Sequence, residues 1–139
     1  MPLVRISLAE GKPAPYRRQV GDAIHRALVG TIGVPALDRF QLITEHEPEN
    51  FVYDREFLGI ERSPDLVIIQ ITLSAGRTLE QKRALYRRIA DNLASAVGLR
   101  PQDAWINLVE VAKENWSFGL GQAQYADAPP AHLAVAAAR

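Results

Sequence analysis

The chain has 139 residues, and its sixteen basic and sixteen acidic side chains cancel, which suits one domain with a core of its own and excludes nucleic-acid binding through bulk charge. With no cysteine there is neither a disulfide framework nor a thiolate metal site, and His25, His46 and His132 are too scattered to form a ligand set. No apolar run approaches a membrane span, and Arg5 and Glu10 interrupt any signal-type opening, so a cytoplasmic protein with no membrane partner is expected.

The opening stretch PLVRISL alternates Val4, Ile6 and Leu8 with Arg5 and Ser7, the period-two pattern of a half-buried strand. Pro2 is tolerated at a strand start, where no ladder donor is needed. It is also a small residue of the kind that permits trimming of Met1, which would leave a secondary amine at the chain terminus. A glycine turn at Gly11 leads to a helix of about five turns, with Val20, Ala23, Ile24, Ala27, Leu28 and Ile32 on one stripe. Gly33 and Pro35 end it, and DRFQLIT reads as a returning strand. A polar, proline-containing segment with aromatics, HEPENFVYDREFLGIERSPD, follows, and its Tyr53 and Phe57 are candidates to cover a neighbouring subunit.

The next strand, DLVIIQITL, is nearly continuous in Val and Ile, as a strand covered on both faces would be. Thr78 and Gln81 have the spacing of a capping box, and the helix they open carries Leu85, Ile89, Leu93 and Val97 on one stripe. Gly98 and Pro101 end it, and DAWINLVEV returns as a strand. KENWSFGLGQAQYA reads as a glycine-turned hairpin over about 112–126, and residues 128–139 as a low-information tail.

Shifted by 65 residues, the sequence aligns with itself without a gap: Ile6 falls on Ile71, Gly11 on Gly76, Arg18 on Arg83, Gly33 on Gly98, Asp38 on Asp103 and Glu45 on Glu110. Lys12 stands opposite Arg77. The chain is therefore two tandem β-α-β units, about 2–46 and 67–111, each a parallel right-handed crossover. Joined edge to edge, they give one α/β domain over 1–127: a four-stranded mixed sheet with both helices on one face. The other sheet face, rich in residues such as Val4, Ile6, Ile69 and Ile71 or their neighbours, calls for cover by oligomerisation.

A duplicated β-α-β unit beginning Met-Pro resembles the tautomerase superfamily. The segments GVPALDRFQ, GRTLEQK and WSFGLGQAQY resemble its malonate semialdehyde decarboxylase branch over nearly the whole chain. The resemblance implies a homotrimer and a cofactor-independent enzyme acting on a small-molecule carboxylate. It makes Pro2 the catalytic proline, Asp38 the active-site aspartate and Arg77 the carboxylate-binding arginine. Trp116 and Phe118 become an aromatic wall that Tyr125 continues, and Gln41 a candidate pocket residue. One departure stands out: such decarboxylases carry two arginines one residue apart before the second helix, and LSAGRT offers only Arg77.

The implied activity is decarboxylation of a small 3-oxo acid, with the proline cation as general acid or electrostatic catalyst. The alternatives are a keto-enol tautomerase, a hydratase or dehalogenase of small unsaturated acids, and a trimeric interaction module that keeps Met1. Each residue also has a plainer reading. Asp38 fits a turn or cap, Arg77 has its counterpart in Lys12, and Trp116 and Phe118 suit a core.

Overall fold

The computed structural model describes residues 2–128. The tail from 129 onward, with His132, lies outside the described residues, as does Met1. In chain order the elements are β1 (Leu3–Ala9), α1 (Ala14–Ile32), β2 (Phe40–His46), β3 (Val67–Ser74), α2 (Leu79–Val97), β4 (Ala104–Val111) and a short α3 (Gln124–Asp127). The strands form one sheet in the order β2-β1-β3-β4. β1 runs parallel to β2 and β3 parallel to β4, while the two units meet through the antiparallel β1–β3 pair.

The 65-residue repeat is kept residue by residue in three dimensions. α1 shifted by 65 coincides with α2, and the pairing of Leu3 with Phe40 becomes that of Ile68 with Trp105. Both helices end on a left-handed glycine, Gly33 at φ 71° and Gly98 at φ 69°. There the next residue, Val34 or Leu99, donates its N–H to the carbonyl of Leu28 or Leu93. Glycine adopts this left-handed conformation at the lowest cost, which favours ending each helix there. α2 begins on the capping box, Gln81 N–H donating to Thr78 Oγ1 and Thr78 N–H to Gln81 Oε1. Arg5 pairs with Gln70, its own counterpart in the repeat, so a pseudo-twofold axis passes between β1 and β3.

The two helix stripes pack side by side on one sheet face. Val20, Ile24 and Leu28 of α1 and Leu85, Ile89 and Leu93 of α2 bury against Val4, Ile6, Ile69 and Ile71. Val4, Ile6, Ile69 and Ile71 therefore belong to the helix-covered core. It is their neighbours that form the open face, where Leu3, Leu42, Ile68, Trp105 and Val109 stand among Arg5, Gln70 and Asn107. The alternation of the strand decides this, since one residue along turns every side chain over. It also corrects the expected double cover of β3: within one chain Gln70 is exposed and Ile68 only half-buried. No helix among the described residues is long and apolar enough to cross a membrane.

The hairpin expected over 112–126 is not formed. A turn at Lys113–Asn115 leads through a loop to α3, with no strand among these residues. Gly119, Leu120 and Gly121 take positive φ in succession (126°, 61° and 66°), which curls the chain back instead of pairing it. Gln124 then holds the curl, accepting from Phe118 N–H at 2.9 Å and donating to Gly119 O at 2.9 Å.

Asp103 closes the second unit onto the linker. It is 1% exposed, and its carboxylate accepts from Ser63 N–H at 2.7 Å, Ser63 Oγ at 2.6 Å and Arg100 Nε at 3.2 Å. Burial pushes its pKa up, but the Ser63 hydrogen bonds and Arg100 together outweigh that and hold it below the usual carboxylate value. A carboxyl with a depressed folded pKa stabilises fully above its unfolded value of about 4, and that contribution is lost as pH falls through the folded value. Asp103→Ala is expected to cost about 2 kcal/mol at neutral pH. It should also remove part of the acid loss of stability, read as a shallower fall of the denaturation midpoint below about pH 4.

Candidate active site

The repeat register places the candidate groups at one end of the sheet. Pro2 is buried directly ahead of β1. The antiparallel pair sets Leu3 beside Thr72, so the end of β3 and the loop carrying Arg77 lie at the Pro2 end. The parallel pair sets Leu3 beside Phe40, so Asp38, two residues earlier, lies there as well.

A cavity of about 270 Å³ opens at this end, lined by Pro2, Leu3, Phe40, Trp116, Ser117 and Phe118. Its walls are mostly apolar. The Trp116 and Phe118 rings stack at 5.4 Å, and Phe118 meets the edge of Tyr125 at 4.6 Å. Tyr125 faces a neighbouring cleft with Ala75, Val111 and Lys113. The structure thus gathers Pro2, Trp116 and Phe118 around one cavity, with Tyr125 continuing the wall beyond it.

Arg77 is 8% exposed. Its Nη1 donates to Ser74 O at 3.0 Å, while its buried Nη2 has no hydrogen-bond partner. No carboxylate among the described residues forms an ion pair with it, since Glu110 pairs with Lys82. Burial pushes the guanidinium pKa down, and Glu110 and Tyr125 partly offset this; it stays a cation near neutral pH. A buried cation with an idle donor is costly in a protein interior unless something fills the gap. Burial also raises the Tyr125 pKa, against a smaller pull from Arg77, so at neutral pH its hydroxyl is a neutral donor.

Asp38 is half-buried at the end of a turn in which its N–H donates to Pro35 O at 3.0 Å. His25 supports the same loop from α1, its Nε2 lying 2.8 Å from Ala36 O. Gln41 points the other way. It lies on the helix face of β2, donates to Gly21 O at 2.8 Å and accepts from Arg39. A side chain at Gly21 would collide with it, so Gln41 ties β2 to α1 and is not among the residues lining the Pro2 cavity. Gln41→Ala is expected to cost about 1 kcal/mol of stability while leaving kcat and KM within about twofold, checked by thermal denaturation and steady-state kinetics.

Leu3, Phe40, Ser117 and Ser74 were not expected at the site. The strand alternation carried a signal for Leu3, which has the opposite parity to the core residues. Ser74 stood in the repeat opposite Ala9, a small residue with nothing to mark it. It is fully buried, and its Oγ accepts from Trp116 Nε1 at 2.9 Å.

The other end of the pseudo-twofold carries the same scaffold with different chemistry. Lys12 replaces Arg77, and Phe51 and Tyr53 replace Trp116 and Phe118. Lys12 is bridged by Asp65 at 3.0 Å, and Val67, inside the chain, stands where Pro2 does. That end has its cation paired with a carboxylate.

A family model described as "Tautomerase enzyme" matches residues 38–119, and a second with the same description matches residues 2–59. The probable tautomerase YusQ of Bacillus subtilis is 41% identical over 124 residues, 89% of this chain and 98% of that protein. The crystal structure of FG41 malonate semialdehyde decarboxylase, inhibited by 3-bromopropiolate, superposes with a TM-score of 0.86 at 40% identity, covering 93% of this chain and 98% of that one. The chain belongs to the tautomerase superfamily, in its malonate semialdehyde decarboxylase-like branch. A second malonate semialdehyde decarboxylase, described as having decarboxylase and hydratase activities, superposes at 0.84 with 34% identity over 90% of this chain and 96% of its own. Within the superfamily frame, the Pro2 cavity is the candidate active site and the Lys12 end its counterpart in the repeat.

Proposed function

We propose that this tautomerase-superfamily enzyme decarboxylates a small 3-oxo acid of the malonate semialdehyde type, with Pro2 as its catalytic amine after removal of Met1. The observation that carries the reading is the buried Arg77 Nη2 without a partner, at the same end of the sheet as an apolar, proline-floored cavity. A carboxylate satisfies that donor, and the aromatic wall excludes water that would otherwise weaken the contact.

Asp38 at the same sheet end favours the cationic form of the Pro2 amine. The ammonium then donates to the 3-oxo oxygen. The electrons of the bond between the carboxylate and C2 move toward that carbonyl, leaving carbon dioxide and an enolate that Pro2 stabilises. A proton returned to C2 completes the aldehyde or ketone product. Arg77 holds the carboxylate out of conjugation, so that the breaking bond aligns with the carbonyl π system.

A keto-enol tautomerase is the second reading, favoured by the single arginine in the loop and by the resemblance to a probable tautomerase. The same amine would shuttle the proton between carbon and oxygen. Addition of water to an unsaturated acid, with Asp38 activating the water, uses the same groups. The open sheet face supports a homotrimer, tested by light scattering for three times the 15.4 kDa chain mass.

The experiment that tests the function is intact mass together with turnover of malonate semialdehyde and of phenylpyruvate enol, on native protein with no added cofactor. Loss of one methionine and release of carbon dioxide support decarboxylation. Turnover of the enol alone moves the assignment to tautomerase. Retained Met1 with neither activity makes the fold an interaction module.

A further inference from the structure

We propose that Ser74 is a positioning residue that fixes the aromatic wall and the arginine relative to each other. The proposal deepens the reading of the Pro2 cavity as the active site and rests on it. Ser74 ends β3, is fully buried, and uses two different atoms. Its Oγ accepts from the indole Nε1 of Trp116 at 2.9 Å. Its carbonyl accepts from Arg77 Nη1 at 3.0 Å. One strand-end residue, held in the ladder opposite Val111, therefore sets both the orientation of a cavity wall and the direction in which Nη2 is left free.

The repeat supplies an internal control. Sixty-five residues earlier, position 74 is Ala9 and position 116 is Phe51. A phenyl ring has no N–H, and the residue facing its counterpart position needs no acceptor. Where the aromatic is an indole, the alanine is a serine. The two positions have changed together between the copies, as they must if the hydroxyl is there for the indole: a part-buried indole N–H that loses its acceptor is penalised. The carbonyl bond to Arg77 survives any side chain at 74, so the hydroxyl controls Trp116 while the strand end controls Arg77.

The test is a double-mutant cycle of Ser74→Ala and Trp116→Phe, the pair that rebuilds the Ala9–Phe51 combination. Each single variant is expected to lower Tm by about 3–6 °C, through loss of the hydrogen bond between Trp116 Nε1 and Ser74 Oγ. The double variant should regain most of that loss. In the Ser74→Ala protein the Trp116 indole N–H signal should lose hydrogen-exchange protection by at least tenfold, and kcat should fall about tenfold with KM within twofold. A purely structural serine would move Tm and leave kcat per active site unchanged. Additive Tm losses, or an indole N–H as protected as in the native protein, would overturn the proposal. If no form of the protein turns over either substrate, the functional reading fails, while the Tm cycle and indole exchange still decide whether Ser74 anchors Trp116.

Discussion

Pro2→Ala is expected to lower kcat/KM by about 10²–10⁴, the range for loss of a positioned proton-transfer group. Alanine keeps a terminal amine and is small enough for Met1 to be removed, so the loss isolates the secondary amine and its fixed ring. The pyrrolidine ring fixes the amine nitrogen relative to Cα, and Pro2 lines the same cavity as Trp116 and Phe118. Alanine adds a rotatable bond and one further N–H, so the amine has more orientations and the productive one is less populated. Pro2 precedes β1 and has no N–H to donate to the ladder. Tm is therefore expected to stay within about 2 °C. Steady-state kinetics and calorimetry on the same preparation, its mass verified, check both halves. A large Tm loss with intact turnover would make Pro2 the start of a strand and nothing more.

Arg77→Ala is expected to lower kcat/KM about 10²-fold, with KM rising more than kcat falls, because a charge-assisted bond to the substrate carboxylate is removed. Its effect on stability should have the opposite character. The free protein keeps Arg77 8% exposed with an idle Nη2, and desolvating that cation costs folding energy. Removing it is expected to leave Tm unchanged or raise it by a few degrees, a pattern found where a site is held at the expense of stability. Lys12 is the comparison built into the chain: a half-buried cation already paired with Asp65, whose removal should change neither turnover nor Tm by much. A fall in Tm at Arg77→Ala with turnover intact would make Arg77 a structural tie to Ser74.

The sequence by itself determined the architecture, because its signals are local and repeated. The helix stripes, the terminal glycines at 33 and 98 and the Thr78–Gln81 box are each readable within a few turns, and the 65-residue shift says each twice. It also determined the identity of the candidate catalytic groups, since Pro2, Asp38, Arg77 and the WSFG segment carry the family resemblance. Tertiary structure alone decided how they meet. The direction of the Gln41 amide follows from strand parity and from the space left by Gly21, a residue twenty positions away in the chain. The path of 112–126 followed from three successive positive φ values and the Gln124 hydrogen bonds, where glycines alone also fit a hairpin. Ser74 had no signal of its own, because a buried serine is defined by the donor that reaches it, and Trp116 lies 42 residues away. Side-chain direction and burial are set by contacts across the sheet, and those do not exist until the two units have joined.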